Sequence, residues 1–509
     1  MIGDAWLDRS SAPSPLLRGL ARNPAAPSDV LLRLLKTWPE QVREGLRRRR
    51  DLPPLVQDAT LHHPSPRIRG ALATHPQVAP PARAKLLTDS AWRVRMRAFG
   101  RPGQESLPDD VLVKLLAELD DPPSDMPFSR EELIGELVEA MRYDRRLFQL
   151  AAAHPRPGVR RFAAGSWYWL DKRSRQALLE DEAPEVRAAA VACVAHRQQV
   201  MELADLPDQH CHAFWYVLRR PLSRALIDQV VASGDTAALR VMGENPSVPP
   251  DVVETLLRHP DPAVRLGVSG RVDLTGDQLV RLATDPAVEV RTAVSTHPGL
   301  TEQQRAGIDI DVTTAPGDGH FGSADVRCRG IPYPADAAPE LTDALRWARS
   351  VNPLLRRRAA RNAKLPPEVV AILADDSDLG VRVLLAQHHP AAPPALLLRC
   401  YLEYHCCGRD QLSELPQFPA EGLTRFADDA DPAVRRLVAL DRHADPELVD
   451  RLSTDPDAGV RQAMASSPRL PAPRIASLLS DPELAEAAAA NPALTVDQME
   501  LVLNRMTAD

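Results

Sequence analysis

The sequence predicts an all-α solenoid of short helix pairs stacked at a period of about 26 residues. Three observations predict it. First, residues 251–300 state one phrase twice, DVVETLLRHPDPAVRLGVSGRV and then DQLVRLATDPAVEVRTAVSTHP, with Arg265 and Arg291 26 residues apart. Second, proline makes up 49 of 509 residues, roughly twice the usual ~5%, and the prolines recur in phase with that phrase. Third, apolar residues are 44% of the chain but aromatics only 4%. A continuous core built from Leu, Val and Ala follows.

Taken in order, the repeat opens at Leu17-Arg18. The Val-Arg position then recurs at Arg43, Arg69 and Arg95, and the same alignment gives Arg160, Arg187, Arg240, Arg265, Arg291, Arg356, Arg382, Arg435 and Arg461. Each unit reads as two short helices. In LPPEVVAILADD, Pro367 suits the first helical turn, where a missing N–H costs nothing. Glu368 complements the positive end of the helix dipole. Val369, Ile372 and Leu373 fall at i, i+3, i+4 and form an apolar face. Asp375 to Asp378 break that helix. The second helix, GVRVLLAQHHP, stops before Pro390, because a residue preceding proline avoids the α region. It has at most three turns and room for 3₁₀ geometry.

Neither helix is long enough to hold alone in water, so each unit depends on its neighbours. The last unit, DPELAEAAAANPALTVDQMELVLNRM, has Ala485 at the arginine position and reads as a terminal cap with no following neighbour. The whole chain accommodates roughly 16–18 helix pairs.

The phrases DPAVRLGVSG, DPAVEVRTAVSTHP, DPAVRRLVAL, DPDAGVRQAMASSP and LPPEVVAILADD resemble those of the leucine-rich repeat variant family, and helical repeats of the HEAT type share the D-x-x-x-V-R element. The resemblance covers most of the chain outside two insertions. It implies a right-handed superhelix that pairs an α-helix with a short α or 3₁₀ helix. The prototype's N-terminal cysteine cluster, which holds iron and sulfur, has no counterpart, since residues 1–192 contain no cysteine.

The expected organisation is basic repeats over 1–100, a helical insertion over 101–150, and central repeats with an aromatic-rich segment over 151–304. A loop or hairpin insertion over 305–345 and acidic C-terminal repeats with a cap over 346–509 complete it. A shift of about 196 residues superposes the order of repeat gaps in the two halves, which suggests an old duplication. Residues 1–100 hold 17 Lys and Arg against 8 Asp and Glu, whereas residues 401–509 hold 10 against 19. That asymmetry is read as drift in surface charge, against steering of an acidic partner to the N-terminal end or head-to-tail self-contact. Arginine abundance alone is no sign of nucleic-acid binding, because Arg, Ala and Pro together are what a GC-rich genome encodes. Six cysteines in so long a chain make no disulfide framework. The N-terminus lacks a signal-peptide pattern, and no apolar run reaches the length of a membrane span. A soluble, cytoplasmic protein without membrane association is expected.

The arginine ladder is read structurally, as pairing with the Asp four residues earlier (Asp261–Arg265) or with an Asp of the next unit, against a cationic stripe for phosphates. Arg47, Arg48, Arg49 and Arg50 are denser than the repeat requires and are the candidate anion-binding set. The opposing reading is a solvated helix face. Phe162, Trp167, Tyr168, Trp169, Phe214, Trp215 and Tyr216 hold a third of the chain's aromatics. Trp167, Tyr168, Trp169, Trp215 and Tyr216 are candidate partner-binding residues, against the alternative of a locally thicker core.

Cys400, His405, Cys406 and Cys407, and the cramped His210-Cys211-His212, are weak metal groupings without any C-x2-C spacing. Asp309, Asp311, Asp318, His320 and Asp325 form the one acid/His set outside the repeat frame. No catalytic motif appears, and neither a catalytic residue, a metal nor a cofactor is assigned. His62-His63 and His388-His389 occupy the pre-proline position held elsewhere by Asn23, Asn245 and Asn491, and close helix ends. The expected function is a non-enzymatic scaffold that docks a protein partner. Alternatives are nucleic-acid or other polyanion binding through the basic repeats, and a metal or enzymatic role for the 305–345 insertion or the Cys400–Cys407 cluster.

Overall fold

The computed structural model describes residues 14–49, 51–75, 77–98, 108–117, 146–312, 339–405 and 408–508. Among them the regular elements are helices, joined by short turns, with a single parallel bridge between Met201 and Leu222. The architecture is the expected α-solenoid of short helix pairs. Most of both insertions, including residues 118–145 and 313–338, lies outside the described residues. Most of the helical insertion expected over 101–150 and the paths that would test the duplication fall there.

The first repeats run α1 (Pro15–Arg22), α2 (Ser28–Thr37), α3 (Pro39–Arg47), α4 (Pro54–Leu61), α5 (Pro66–Ala73), α6 (Pro80–Leu86) and α7 (Trp92–Ala98). Proline opens most of these helices at a position whose N–H has no intrahelical acceptor. Elsewhere aspartate caps them: Asp261 accepts from the Ala263 N–H and Asp457 from the Val460 N–H. The Pro432–Arg435 turn of α-helix runs on as a 3₁₀ helix over Arg436–Leu440. The helix Pro367–Ala374 buries Val369, Val370 and Leu373 but leaves Ile372 53% exposed. Its buried face is therefore turned from the i, i+3, i+4 expectation, because a two-turn helix packs along adjacent positions.

The described chain forms two compact units, residues 1–194 together with 420–509, and residues 195–419. The first unit has one continuous core running from Leu17 to Ala190 and from Ala427 to Leu503. The second has its own core from Met201 to Leu300.

Two polar devices repeat through both units. In the first, a ladder arginine grips the aspartate 20 or 21 residues ahead, in the next repeat. Arg69–Asp89, Arg160–Asp181, Arg265–Asp285, Arg356–Asp376 and Arg435–Asp455 are all bidentate at 2.6–2.9 Å. The remaining N–H groups of Arg265 reach the His259 and Pro260 carbonyls at the end of the preceding helix. The same aspartate then offers its own carbonyl to the next ladder arginine, as Asp285 does to Arg291 at 2.8 Å. Arg160 and Arg435 hold the carboxyls of Asp181 and Asp455 below the usual range. Of the two structural readings, pairing with the next unit is the one adopted; Asp261 serves as a cap instead. Arg240, 25 residues before Arg265 as Arg18 is before Arg43, is exposed and forms no clamp among the described residues.

The second device is a buried spine. A helix that stops at a proline leaves last-turn carbonyls without partners. Asn491 donates to the Ala465 and Ser467 carbonyls of the preceding repeat at 2.8 and 2.7 Å. Asn245 does the same to Leu218 and Arg220, Arg271 to Asn245, and His297 to Arg271. The pre-proline residues do close helix ends, as expected, and they also bond one repeat to the next.

The first unit holds the principal departure from expectation. The helix Ala485–Ala489 is not a solvent-facing cap, for α1 packs directly on it. Asn23 donates to the Ala489 and Asn491 carbonyls at 2.9 and 2.7 Å. Arg18 and Arg22 both engage Glu486, and Arg33 engages Glu500 at 2.5 Å. The basic and acidic ends thus meet head to tail within one chain. Gly19 permits the approach: a Cβ there would stand 2.3 Å from the Glu486 carbonyl oxygen. The spine passes through unbroken, from Ser467 to Asn491, Asn23, Arg49 and His75.

Two outcomes test these devices. Arg265→Ala should cost about 2–3 kcal/mol in urea unfolding, by stranding a buried carboxylate and two carbonyls. Arg240→Ala should stay within about 0.5 kcal/mol; equal effects would contradict the assignment. Gly19→Val should cost about 1–3 kcal/mol and strip amide-exchange protection from α1 and Ala485–Ala489 while sparing residues 226–300. Unchanged protection there would refute the junction.

Candidate functional site

The two aromatic stretches take different roles. In the first unit, Trp167 to Trp169 form a 3₁₀ turn, and Trp167 lies in the core at 9% exposure. Its carbonyl accepts from Arg175 Nε at 3.0 Å. Trp169 stacks on the fully buried Phe148 at 5.8 Å with rings nearly parallel. Phe162 packs against the same core. The expected exposed patch is therefore not formed by Trp167 or Trp169; large rings fill space where small side chains serve other repeats. Tyr168 shares that turn, and its side chain lies outside the described residues.

In the second unit the helix His212–Leu218 turns Phe214, Val217 and Leu218 inward and leaves Tyr216 exposed. Trp215 is half-buried, edge-on to Phe214 at 5.0 Å. His210 leans on both rings and meets Asp235 at 2.5 Å. Burial raises the Asp235 carboxyl, but the Ala238 N–H and the His210 ring outweigh it, and the net shift is downward. His210 and His212 do not converge on one point: His210 is taken by Asp235, while His212 lines a concavity. That concavity, of about 710 Å³, is walled by His212, Trp215, Tyr216, Arg219, Arg240 and Glu244. The Tyr216 hydroxyl is fixed by His196 and Arg220, each at 3.0 Å. Arg219 and Glu244 escaped the sequence reading, and Arg240 entered it only as a ladder position. It sits 25 residues past Trp215, close to one repeat.

The arginine run divides residue by residue. Arg47 and Arg48 both grip Glu44 at 2.6 Å, and Arg47 first draws that carboxyl down to about 2. Arg49 is 3% exposed. Its guanidinium reaches the Ala21 and Asn23 carbonyls and Asp51. It is a spine residue and not an anion contact, because it stands 26 residues after Asn23 and 26 before His75. Arg50 lies outside the described residues.

Burial pushes the Cys400 thiol up to about 12, so it is a neutral core group, whereas His405 is exposed. Cys406, Cys407, Asp318, His320 and Asp325 lie outside the described residues. Asp309 pairs with Arg291 at 2.9 Å, and Asp311 bonds Thr292. Among the described residues no group of three or more His, Cys, Asp and Glu side chains is placed to hold a metal ion. None of their helices is long and apolar enough to cross a membrane.

No protein-family model and no curated protein matches the chain. Among solved structures, a crystal structure of a Kap121p mutant aligns over 97% of this chain and 54% of that chain, at 12% identity and a TM-score of 0.23. The chain thus spans about half the length of that protein.

The two neighbouring arginines should separate cleanly in mutation. Arg49→Ala leaves buried carbonyls without donors and should cost about 2–3 kcal/mol in chemical denaturation. Arg48→Ala, at an exposed ion pair, should change stability by less than about 0.5 kcal/mol. The reverse order would return Arg49 to the surface.

Proposed function

We propose that this chain is a non-catalytic helical-repeat scaffold that docks a protein partner, and that the concavity at Trp215 and Tyr216 is part of the docking surface. The observation that carries the reading is Tyr216. Its ring is 49% exposed yet held in place by His196 and Arg220. An aromatic side chain presented in fixed geometry has little entropy left to lose on binding. Beside it stand Trp215, Arg219 and Arg240. Tyr, Trp and Arg are the residue types that dominate interface energetics. The remaining aromatic candidates serve as support, since Trp167 and Trp169 pack inward.

Solenoids suit docking because each unit adds surface without rearranging the rest. Pairing of short helices at a 26-residue period supports affiliation with the leucine-rich repeat variant family. A cysteine usage without framework spacing supports a reduced, cytoplasmic setting.

Affinity capture from the native cell tests the proposal, with wild-type chain set against the double variant Tyr216→Ala, Arg240→Glu. Quantitative mass spectrometry should show a protein partner depleted by about tenfold or more with the variant, and retained by the wild type after nuclease treatment. Thermal unfolding should be the same for both chains. Equal recovery of every captured protein would sink the reading, and loss on nuclease treatment would favour nucleic-acid binding.

A further inference from the structure

Not every ladder arginine has a forward carboxylate among the described residues: Arg95 and Arg187 bond carbonyls alone, and Arg43 bonds neither. Arg43 stands 26 residues before Arg69, but the residue 20 ahead of it is His63, where a clamp needs a carboxylate. Among the described residues Arg43 makes no ion pair or hydrogen bond, and neither does Arg67 on α5. Both instead line a concavity of about 270 Å³ with Arg47 on α3 and Arg97 on α7. Glu44, Ala71 and Thr74 complete the wall. Helices α3, α5 and α7 of successive repeats therefore bring four arginines to one place, with Glu44 as the carboxylate among the described lining residues. Gly70 makes room for one of them: a Cβ there would stand 2.9 Å from Arg97 Nη1. Glu44 is committed to Arg47 and Arg48, so it does not cancel Arg43 or Arg67.

We propose that the concavity framed by Arg43, Arg47, Arg67 and Arg97 binds the dianionic phosphate of a phosphate monoester. A guanidinium offers paired N–H groups in a planar fork that matches phosphate oxygens. A tetrahedral group with three terminal oxygens accepts such forks from three helices at once. A carboxylate has two oxygens and one charge, and fills fewer of them. A nucleic-acid strand fits less well, because none of the described lining residues is an aromatic that could stack a base and a phosphodiester carries one charge. The site is separate from the Trp215 surface and stands or falls without it.

Titration calorimetry of the full-length chain with N-acetyl-O-phosphoserine amide at low salt tests this. Binding at one site is expected, weakened about tenfold by Arg43→Ala or Arg67→Ala and unchanged by Arg48→Ala. It should also weaken as pH falls below about 6, where the phosphate gains its second proton. Glu44, drawn down to about 2, stays charged across that interval. Arg43→Ala and Arg67→Ala remove no intramolecular partner, and their unfolding should match wild type. A phosphoserine peptide separates the two sources: tighter binding than the amide identifies a phosphorylated chain, and equal binding identifies a small phosphorylated molecule. No heat at about 5 mM ligand, or binding indifferent to both substitutions, overturns the proposal. So does a single-stranded RNA that depends on Arg43 where the monoester does not bind.

Discussion

Among the described residues, short helices end with carbonyl groups that their own backbone cannot satisfy, and donors for them join one repeat to the next. Where a proline follows the last turn, as after Asn23, Asn245 and Asn491, the helix cannot continue to supply one. Burial makes the deficit expensive, since an unsatisfied buried acceptor costs on the order of 1–3 kcal/mol. The donor comes from the equivalent position of the adjacent repeat, as Asn245, Arg271 and His297 show. His75 shows the chemistry in full. Its Nε2 donates to the Arg49 carbonyl and its Nδ1 accepts the Gln77 N–H, which fixes a neutral tautomer. Burial accordingly lowers its pKa. A residue that is polar, interior and bonded on both sides sets register as firmly as any apolar contact.

The arginine clamps work on the outer rim of the same joints. Each ties three consecutive features: the end of one helix, the start of its partner, and the turn of the next repeat. A bidentate pair with both side chains largely shielded is geometrically selective, and its charges are used up in the process. A ladder of arginines therefore does not make a cationic stripe here. The surface is chemically open where the pattern lapses, as at Arg43, whose forward position is His63, and at Arg240, which forms no clamp.

Much of this was legible in one dimension. The 26-residue spacing, the Val-Arg position and the in-phase prolines specify helix pairs and boundaries, but leave the arginine's partner open between the Asp four residues earlier and one in the next unit. What stayed hidden has physical causes. Four consecutive arginines look like one solvated cluster, although the repeat frame alone places Arg49 among interior positions. Trp167 and Trp215 are indistinguishable as letters; one lies in the core and the other lines a groove. Ile372 satisfied the apolar periodicity and still faces solvent, because a helix of two turns has too little length for periodicity to choose a face. The missing arginine near Ala485 resembled a cap. It instead reflects a reversal of sign, with Glu486 receiving arginines from α1.

The meeting of α1 with Ala485–Ala489 also bears on how the first unit comes into being. Arg18 and Glu486 are 468 positions apart, so their contact is about as non-local as this polypeptide allows. Loop-closure entropy grows slowly with length, which makes the bond thermodynamically tolerable, but non-local pairing slows assembly. On the ribosome, the N-terminal repeats emerge long before the segment that covers them. Until then the Leu17 face and the Asn23 donor stand open, a window in which a chaperone or a second nascent chain can occupy the seam.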